Sequence, residues 1–319
     1  MLKNVQLKNF RGFKDTAIGP LKRVNLIVGQ NNTGKTGLLE ALALLLTDPP
    51  QKAGNLPQLF RSAGGDYTEN FWKWICYNKD TRNPVEIKGK FDSLPEFGVW
   101  LGPNPGTSTP MGASSPAGSL GNMRLFTTGQ RDRALLKVSV FSTHPTNPRQ
   151  DAIDYNRVVL LRKKSQVEAL LKKVEPRLQS IETLQTGSEP LLYADVGLTE
   201  MIPITQMGQG FSRLLDIYSE IVAAEAKVLL IDEIENGLHH SVLATIWRGL
   251  FTAAEEVGVQ IFATTHSWEC VLAADAAARE ETEYDLNLIR LDRVGDNIKA
   301  TIIDKDALNT AKELQWEMR

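Results

Sequence analysis

Residues 29–36, with the sequence GQNNTGKT, have the types and spacing needed to bind a chain of phosphates. They fit the P-loop pattern G-x-x-x-x-G-K-[ST], in which backbone N–H groups of a glycine-rich turn point at phosphate oxygens. In such a loop the lysine reaches the β- and γ-phosphates, and the hydroxyl of the last residue holds Mg²⁺. We therefore predict a nucleoside triphosphate site with a Mg²⁺ ligand at Thr36. The predicted nucleotide-binding residues are Asn31, Asn32, Thr33, Gly34, Lys35, Thr36 and Gly37.

The segments on either side of this loop predict the elements that must position it. Residues 24–28, VNLIV, are almost entirely apolar and predict a buried strand that runs into Gly29. Residues 37–46 predict the helix that leaves the loop, and Pro49 and Pro50 end it. Strand, loop and helix in this order direct the backbone amides and the helix N-terminus at the same phosphates.

A second apolar segment ends in two carboxylates. Residues 226–231, AKVLLI, predict a strand that leads directly into Asp232 and Glu233, a Walker B pattern. Unpaired charge at the end of a buried strand is costly, which favours a functional reason for the pair. Asp232 would anchor hydrated Mg²⁺. Glu233 would act as the catalytic base that polarises an attacking water molecule.

A third apolar segment ends in a histidine. Residues 258–267, GVQIFATTHS, predict a strand that follows Asp232 after one helix, residues 241–256. In open α/β sheets, ligands bind in the crevice beyond the carboxyl ends of the strands. We therefore expect His266 to lie on a neighbouring strand, beside the phosphates.

Composition limits the classes of protein that the chain can represent. It has 319 residues with 42% hydrophobic content and a net charge of −2, so any contact with DNA would need a local basic patch. Cys76 and Cys270 are far apart in sequence, which favours a reducing compartment over a disulfide scaffold. No signal peptide pattern is present, and the apolar runs are too short to span a bilayer. We expect a cytoplasmic protein with no membrane partner.

We expect a single domain, residues 1–319, with two local additions. Residues 95–122 are rich in Gly, Pro and Ser without periodicity and predict a flexible insertion. Residues 157–185 predict a basic helical subdomain, in which a capping box at residues 165–168 opens a helix that continues to Leu184. This basic face would either grip a phosphate backbone or form a solvated helix surface. Its basic residues are Arg157, Arg162, Lys163, Lys164, Lys172, Lys173 and Arg177.

Five aromatic residues cluster at positions 66–79. They are Tyr67, Phe71, Trp72, Trp74 and Tyr77. Aromatic side chains can stack on nucleic acid bases, but this spacing favours the buried core of a helix.

Three ordered segments of the chain resemble a known family. Residues 10–13, FRGF, 230–239, LIDEIENGLH, and 263–267, ATTHS, are similar to the ABC-type ATPase heads of the SMC, RecF and OLD (overcoming lysogenisation defect) group. The chain looks like stand-alone bacterial AAA-type or OLD-like ATP-binding proteins, without the Toprim-like domain of many OLD nucleases. The resemblance implies an α/β P-loop NTPase fold: an ABC-ATPase-like head with a mixed central sheet, an antiparallel N-terminal β lobe and a helical insertion.

The resemblance also implies roles for individual residues. Arg11 resembles the basic residue near the phosphates of the nucleotide, and His266 resembles the switch histidine that senses the γ-phosphate. The segment that resembles the D-loop, which crosses a dimer interface, contains Asn236, Gly237 and His239.

Residues 207–214, MGQGFSRL, lie where this family places its signature motif, which caps the ATP bound by the opposite subunit. The segment departs from the usual Leu-Ser-Gly-Gly, because Gly208 stands where serine is expected. The Q-loop is not identifiable, with Gln130 and Gln150 as the candidates. The residues of this trans signature are Gly208, Gln209, Gly210 and Ser212.

These patterns lead to three functional hypotheses. The first is an ATPase that dimerises head to tail around two ATP molecules and couples Mg²⁺-dependent hydrolysis to a DNA-related process, such as repair or anti-phage defence. The second is the nucleotide-binding subunit of a transporter, against which the FRGF segment and the D-loop sequence argue. The third is an ATP-gated module that regulates a toxin or nuclease partner. A GTPase is disfavoured because no Asn-Lys-x-Asp motif is present.

Overall fold

The computed structural model describes eight stretches of the chain. They are residues 1–47, 74–103, 118–120, 123–129, 137–143, 147–185, 187–223 and 226–314. Within these stretches the strands form two six-stranded sheets and one three-stranded sheet. Helices lie between the two larger sheets and on the outer face of one of them.

The first six-stranded sheet is an antiparallel N-terminal lobe. Its strands are β1 (Leu2–Phe10), β2 (Phe13–Ile18), β4 (Val85–Phe91), β5 (Phe97–Pro103), β6 (Gly118–Leu120) and β7 (Met123–Thr128). Their order across the sheet is β2-β1-β4-β5-β7-β6. Burial alternates along β4, as expected for a sheet that packs one face on the core and leaves the other partly exposed.

The second six-stranded sheet is the central sheet of the molecule. Its strands are β3 (Val24–Val28), β8 (Val138–Phe141), β12 (Val228–Ile231), β13 (Gln260–Thr264), β14 (Leu286–Val294) and β15 (Asn297–Ile303). The order is β15-β14-β3-β13-β12-β8, with all pairs parallel except β14 with β15. Strands β3, β12 and β13 are buried along their whole length, because a parallel sheet is covered on both faces. The predicted fold, an antiparallel lobe and a mixed central sheet, is confirmed.

The register of the parallel strands places the predicted site residues at one edge. Ala263 of β13 pairs with both Leu26 of β3 and Ile231 of β12. The three strands therefore end within a few residues of one another, at the same edge of the sheet. The loop that begins at Gly29 and the carboxylate of Asp232 both follow strand ends at this edge.

In the described part of the chain the helices are α1 (Lys35–Leu46), α2 (Pro148–Leu160), α3 (Lys164–Lys172), α4 (Gln209–Ala223), α5 (His240–Val257), α6 (Trp268–Glu280) and α7 (Lys305–Glu313). Helix α1, which follows the P-loop, is enclosed by both large sheets. Its residues from Gly37 to Leu46 are all buried, and its apolar side chains share one cluster with side chains of the two sheets. A helix whose apolar residues lie on all sides is surrounded by protein. The other face of the central sheet is covered mainly by α4, α5 and α6.

The predicted helix after the P-loop is confirmed, and so is the helix between Asp232 and His266. Among the residues that the structure describes, no helix has both the length and the apolar composition needed to cross a bilayer.

The prediction of a flexible insertion over residues 95–122 is wrong for ten of its residues. Residues 97–103 form β5, which pairs with β4 and β7, and residues 118–120 form β6. Phe97, Val99 and Leu101 of β5 point into the core, so a period-two apolar pattern was present beside the glycine- and proline-rich part. The remainder of that part, residues 104–117 and 121–122, lies outside the described residues.

The predicted helix from Ser165 to Leu184 is also wrong. Helix α3 ends at Lys172, and the chain then turns and forms β9 (Ser180–Leu184) in a three-stranded sheet with β10 (Leu191–Asp195) and β11 (Ile202–Pro203). Pro176 cannot continue a helix, and the apolar residues after it alternate along a strand instead.

The capping box at residues 165–168 does not form. Ser165 lies inside α3, whose N-cap is Lys163 without a side-chain cap. The Glu168 carboxylate instead accepts a hydrogen bond from the backbone N–H of Ile181 (2.8 Å), so it ties α3 to β9.

Trp74 and Tyr77 do not belong to a helix core. Trp74 is exposed, and Tyr77 lies in a short 3₁₀ turn, residues 77–79. The remaining aromatic residues of that prediction, Tyr67, Phe71 and Trp72, lie outside the described residues.

Candidate active site

The P-loop is a close-packed turn that requires glycine at two positions. A Cβ at Gly29 would lie 2.5 Å from the backbone oxygen of Leu291, and one at Gly34 would lie 2.6 Å from Cδ1 of Ile298. Gly34 also has a φ of +91°, a backbone conformation that residues other than glycine rarely adopt. The β14–β15 hairpin therefore presses on the back of the loop. The loop backbone is held where its N–H groups can meet phosphate oxygens.

Lys35 bends back over the loop that precedes it. Its Nζ donates to the carbonyl oxygens of Gly29 (2.6 Å) and Gln30 (3.1 Å). Burial lowers the pKa of Lys35, and the nearby carboxylates of Glu233 and Asp232 oppose that shift. The ammonium group thus lies between the loop carbonyls and the acidic end of β12.

Asp232 and Thr36 form a pair of oxygen ligands suited to a hard cation. Asp232 is only 5% exposed. The Thr36 hydroxyl lies 3.1 Å from Asp232 Oδ2, and the Thr264 hydroxyl donates to Asp232 Oδ1 at 2.6 Å. Carboxylate and hydroxyl oxygens are the donors that Mg²⁺ prefers, and Mg²⁺ keeps several of its own waters. The donor set therefore fits a hydrated Mg²⁺ at Thr36 and Asp232.

Glu233 has an unusual backbone conformation. Its φ is +48°, in the left-handed region that is uncommon for residues other than glycine. The turn is held by Thr264, whose hydroxyl accepts a hydrogen bond from the Glu233 N–H at 2.7 Å. The side chain is partly buried and lines a cavity of about 1000 Å³ over the P-loop. Strained residues of this kind cluster at functional sites, where neighbouring structure holds them in place.

His266 lies on β13's continuation, next to β12 as predicted, and it is oriented by a residue that the sequence reasoning missed. Glu235 Oε1 accepts from the His266 N–H (2.9 Å) and lies 3.1 Å from His266 Nδ1. His266 itself is 56% exposed. Glu235 Oε2 is buried and has no hydrogen-bond partner among the described residues. The sequence signal for Glu235 was a second acidic residue two positions after Glu233. One carboxylate is enough for a catalytic base, so the second indicated a separate role.

Arg213 was missed as well. It is 7% exposed, and its guanidinium donates to the backbone carbonyl of Glu233 (3.0 Å) and to that of Asp232. Burial lowers the pKa of Arg213, and the carboxylate of Asp232 is the first of the charges that oppose this shift. The signal in the sequence was a charged residue between the buried apolar residues Phe211 and Leu214 of α4. This arginine ties the start of α4 to the acidic turn after β12.

Arg11 lines the same cavity but is engaged by a buried acid. Its guanidinium binds both oxygens of Glu40, at 2.9 Å and 3.1 Å, and Nη1 donates to the carbonyl oxygen of Trp74 at 2.8 Å. Its Cβ lies beside Gly37 at the start of α1. The structure therefore places Arg11 at the P-loop, where it connects α1 to residues 74–79.

The segments that resemble the signature motif and the D-loop contact each other within one chain. A Cβ at Gly210 would lie only 2.2 Å from the backbone oxygen of Gly237. Gly208, with a φ of +94°, precedes α4 and has open space around it. Ser212 is buried, and its hydroxyl faces the carbonyl oxygens of Ile204 and Gly208.

None of these signature residues lines the cavity over the P-loop of the same chain. Asn236 and Gly237 lie in the turn after β12, and His239 caps α5 by accepting from the Ser241 N–H. Asn31, Asn32, Gly34, Lys35, Thr36 and Gly37 do line the cavity. Thr33 is buried and its hydroxyl donates to the Gln30 carbonyl, which closes the loop.

Most basic side chains of the helical region are paired inside the chain. The pairs are Arg157 with Asp154, Lys163 with the Val222 carbonyl, Lys164 with Glu182, and Arg177 with Glu175. Lys172 and Lys173 are exposed on α3. The arrangement favours a solvated helix surface over a dedicated phosphate-binding face.

Family models match the chain in two overlapping regions. Residues 1–191 match the AAA ATPase domain. Residues 124–271 match a model described as AAA domain, putative AbiEii toxin, Type IV TA system. The first region alone is more than half of the chain.

Characterised relatives agree with these matches. An ATP/GTP phosphatase from Helicobacter pylori is 23% identical over 88% of this chain and 89% of its own length. The chain spans about half of a RecF DNA replication and repair protein from Chlorobium limicola, with 27% identity over 60% of this chain and 51% of the relative. A shorter stretch, 29% of this chain, is 36% identical to 15% of an OLD nuclease from Thermus scotoductus.

Solved structures confirm the fold. An SMC head bound to the C-terminal winged-helix domain of ScpA superimposes with a TM-score of 0.64 and 13% identity, and the alignment covers 97% of this chain and 99% of that one. The resemblance to the SMC, RecF and OLD group, drawn first from short segments, is confirmed: the fold of an SMC head extends over 97% of the chain, and sequence similarity to RecF and OLD proteins covers 60% and 29% of it. The protein is an ATPase that belongs to the AAA ATPase domain family and has the fold of an SMC head.

Proposed function

We propose that the chain hydrolyses ATP with Mg²⁺ in a head-to-tail dimer and couples this cycle to a process on DNA. The observation that carries the proposal is the cluster at the edge of the central sheet. There Thr36, Asp232 and Thr264 form a bonded set of oxygens, while Glu233 faces the cavity over Lys35. This arrangement supplies an anchor for the cation, a counter-charge for phosphate and a base in one place.

Each residue has a separate task in this proposal. Bound MgATP supplies the phosphoanhydride that is cleaved. Lys35 would give up its hydrogen bonds to the loop carbonyls and bind phosphate oxygens instead. Thr36 and Asp232 would hold the cation. Glu233 orients water for in-line attack and accepts its proton, while His266, held by Glu235, faces the terminal phosphate.

The dimer is proposed because the signature segment is outside its own nucleotide site. Gly208 leaves open space in front of the N-terminus of α4, and helix N-termini attract anions. A second copy, turned head to tail, would present Gly208, Gln209 and Gly210 to the phosphates bound at Lys35. Asn236, Gly237 and His239 would lie at the same interface. Ser212 would reach the interface only if α4 changed its local packing.

The coupled process is proposed from the relatives. RecF is named for DNA replication and repair, and the OLD relative is a nuclease. A second candidate follows from the family model that names a putative toxin of a type IV toxin–antitoxin system, over residues 124–271. In that case ATP would gate a toxin or nuclease partner, and hydrolysis would depend on the partner rather than on DNA.

The first test compares Glu233→Gln with Lys35→Ala. Loss of the base should lower the ATP hydrolysis rate by about 10²- to 10⁴-fold while leaving ATP bound. Gel filtration with ATP and Mg²⁺ should then show Glu233→Gln eluting as a dimer. Lys35→Ala should neither bind ATP nor dimerise, because the phosphates lose their main counter-charge.

Two exposed residues provide matched controls for these variants. Glu255→Gln on α5 and Lys299→Ala on β15 change the same residue types away from the cavity. Both should behave as the wild type. Wild-type hydrolysis by Glu233→Gln would show that another group is the base, and a monomer with ATP bound would argue against the dimer.

A further inference from the structure

The cavity over the P-loop is larger than a phosphate site requires. Besides Lys35 and Thr36, its lining includes Arg293 of β14 and residues of the segment 74–79, which forms one wall of the cavity. Trp74, Asn78 and Lys79 of this wall all line the cavity. A nucleotide whose phosphates occupy the P-loop must place its ribose and base in the remainder of the same cavity. Among the lining residues that the structure describes, Trp74 is the one aromatic side chain that such a base could meet.

Trp74 is the most exposed of the tryptophans that the structure describes. Its side chain is 55% accessible, whereas Trp247 is buried and Trp100 and Trp268 are partly buried. Leaving an indole exposed forfeits the favourable burial of a large apolar surface. An exposed aromatic ring beside a phosphate site has the shape and polarity to stack on a flat heterocycle.

The backbone around Trp74 is fixed to the P-loop side of the cavity. Arg11 donates two hydrogen bonds to this segment: its backbone N–H donates to the Ile75 carbonyl (2.6 Å), and its Nη1 donates to the Trp74 carbonyl (2.8 Å). Phe10 forms a β-bridge with Cys76. Because Arg11 is also bound to Glu40 of α1, the indole is attached through one side chain to the helix that begins at Lys35.

Lys79 supports the ring from one side. Its Nζ lies 3.7 Å from the centroid of the Trp74 ring, a cation–π contact. The turn that brings it there has left-handed backbone at Asn78 and Lys79, with φ values of 50° and 60°. Trp74 is 55% accessible with this contact in place, and we expect a base to stack on the ring face that Lys79 leaves open.

We propose that Trp74 is the stacking platform for the purine base of the bound nucleotide, with Lys79 fixing the orientation of the indole. The proposal rests on the phosphate site proposed above. The strength of stacking depends on the area of the ring and not on its hydrogen-bond donors and acceptors. The larger purines should therefore bind better than pyrimidines, and adenine and guanine should bind about equally well. The chain is therefore expected to accept both ATP and GTP and to bind CTP and UTP less well.

Binding measurements on three proteins test the proposal: the wild type, Trp74→Ala and Trp74→Phe. For Trp74→Ala, the dissociation constants of MgATP and MgGTP should rise about 5- to 150-fold, the loss expected for one base–aromatic stack. The inhibition constant of inorganic tripolyphosphate against ATP hydrolysis should change less than about twofold, because that probe has no base. Trp74→Phe, which keeps an aromatic face, should bind ATP nearly as the wild type does.

Fluorescence provides an independent measurement. A stacked purine should quench the indole of Trp74, so ATP should quench part of the wild-type tryptophan emission, and Trp74→Phe should lose that part. Trp100→Phe serves as the matched control, because Trp100 lies on β5 outside the cavity. It should keep the full quenching.

The outcomes separate this proposal from the phosphate site on which it rests. Unchanged ATP affinity in Trp74→Ala, or equal losses for ATP and tripolyphosphate, would overturn the stacking role and leave the P-loop assignment intact. Full quenching in Trp74→Phe would overturn it as well. Failure of the phosphate site itself has a different signature, because Lys35→Ala would then bind ATP as tightly as the wild type.

Discussion

Asp232 and Glu233 are adjacent carboxylates, and their surroundings give them different tasks. Asp232 is buried, and its oxygens face the hydroxyls of Thr36 and Thr264. Glu233 turns away through a left-handed backbone and lines the cavity. In the proposed mechanism, the first acid is thus placed to hold the cation and the second to meet water. Thr264 serves both, because its hydroxyl accepts from Glu233 and donates to Asp232.

Another carboxylate, Asp216 of α4, makes stability depend on pH. Burial, with the negative charges of Asp151 and Asp154, raises the pKa of Asp216 from 3.8 to about 8. Its Oδ2 is buried without a hydrogen-bond partner among the described residues. The unfolded chain therefore loses this proton at lower pH than the folded protein does. The stability that Asp216 contributes is present below about pH 4 and is lost as the pH rises through about 8.

We expect Asp216→Asn to remove this dependence. At pH 9 the variant should be more stable than the wild type by at least about 1 kcal/mol, because no buried charge has to form. At pH 4 the two should be similar. Urea unfolding at both pH values measures the difference, and Asp306→Asn, an exposed aspartate on α7, is the control. Parallel pH curves for the wild type and Asp216→Asn would contradict the expectation.

The residues that sequence reasoning found and missed differ in one respect. Lys35, Asp232 and His266 follow apolar strands in a fixed order, so spacing along the chain revealed them. Glu235 and Arg213 act through hydrogen bonds to a neighbouring side chain or to backbone carbonyls. Such partners come from elements far apart in sequence, so the local pattern marks Glu235 and Arg213 as charged residues without showing what they bind.

At the scale of elements, α4 and the turn after β12 behave as one unit. Arg213 bonds the carbonyls of that turn, and Gly210 packs directly on Gly237. A ligand that contacts the N-terminus of α4 therefore pushes on the turn that carries Glu233. In a head-to-tail dimer, nucleotide bound in one site would then affect the position of Glu233 that belongs to the other site.

Gly210→Ala tests that connection. Its Cβ would lie 2.2 Å from the Gly237 oxygen, so α4 or the turn must move. Overpacking of this kind costs about 1–3 kcal/mol of stability. The displaced base should lower the ATP hydrolysis rate by about 10- to 100-fold. Rate and urea unfolding should be measured beside Gln206→Ala, an exposed residue of the preceding turn that should change neither. A wild-type rate of ATP hydrolysis in a folded Gly210→Ala would mean that the contact between Gly210 and Gly237 does not affect catalysis.

Element predictions failed where composition outweighed pattern. The stretch after residue 95 was interpreted from its glycines and prolines, although Phe97, Val99 and Leu101 alternate as a strand should. The segment after Pro176 was interpreted from apolar residues that suit either a helix or a strand. Only its pairing with β10 decides the question, and pairing is a long-range property.

At the scale of the whole molecule, the net charge determines whether contact with DNA needs a local basic patch. The net charge is −2, so the overall field does not attract a polyanion. The basic helical region was the candidate patch, and most of its side chains are already paired within the chain. We therefore expect any DNA surface to lie outside this helical region.

The double variant Lys172→Glu/Lys173→Glu tests this view. Both residues are exposed on α3, and neither borders the nucleotide cavity. We expect DNA affinity and DNA-stimulated hydrolysis to change by less than about twofold. If these lysines contacted phosphates, the slope of log affinity against log salt would instead fall by about two. Titrations at several salt concentrations distinguish the two results.

The order of strands in the central sheet has a consequence for synthesis on the ribosome. β3, which carries the P-loop, lies between β13 and β14, and the pairing of β3 with β13 joins Asn25 to Phe262, far along the chain. β3 is therefore made long before either of its neighbours. A nascent chain that stops before β14 can pair β3 only with β13, and its P-loop lacks the β14–β15 hairpin that presses on it. We expect such a chain to hold a nucleotide poorly, so ATP binding should require that residues 286–303 have been made.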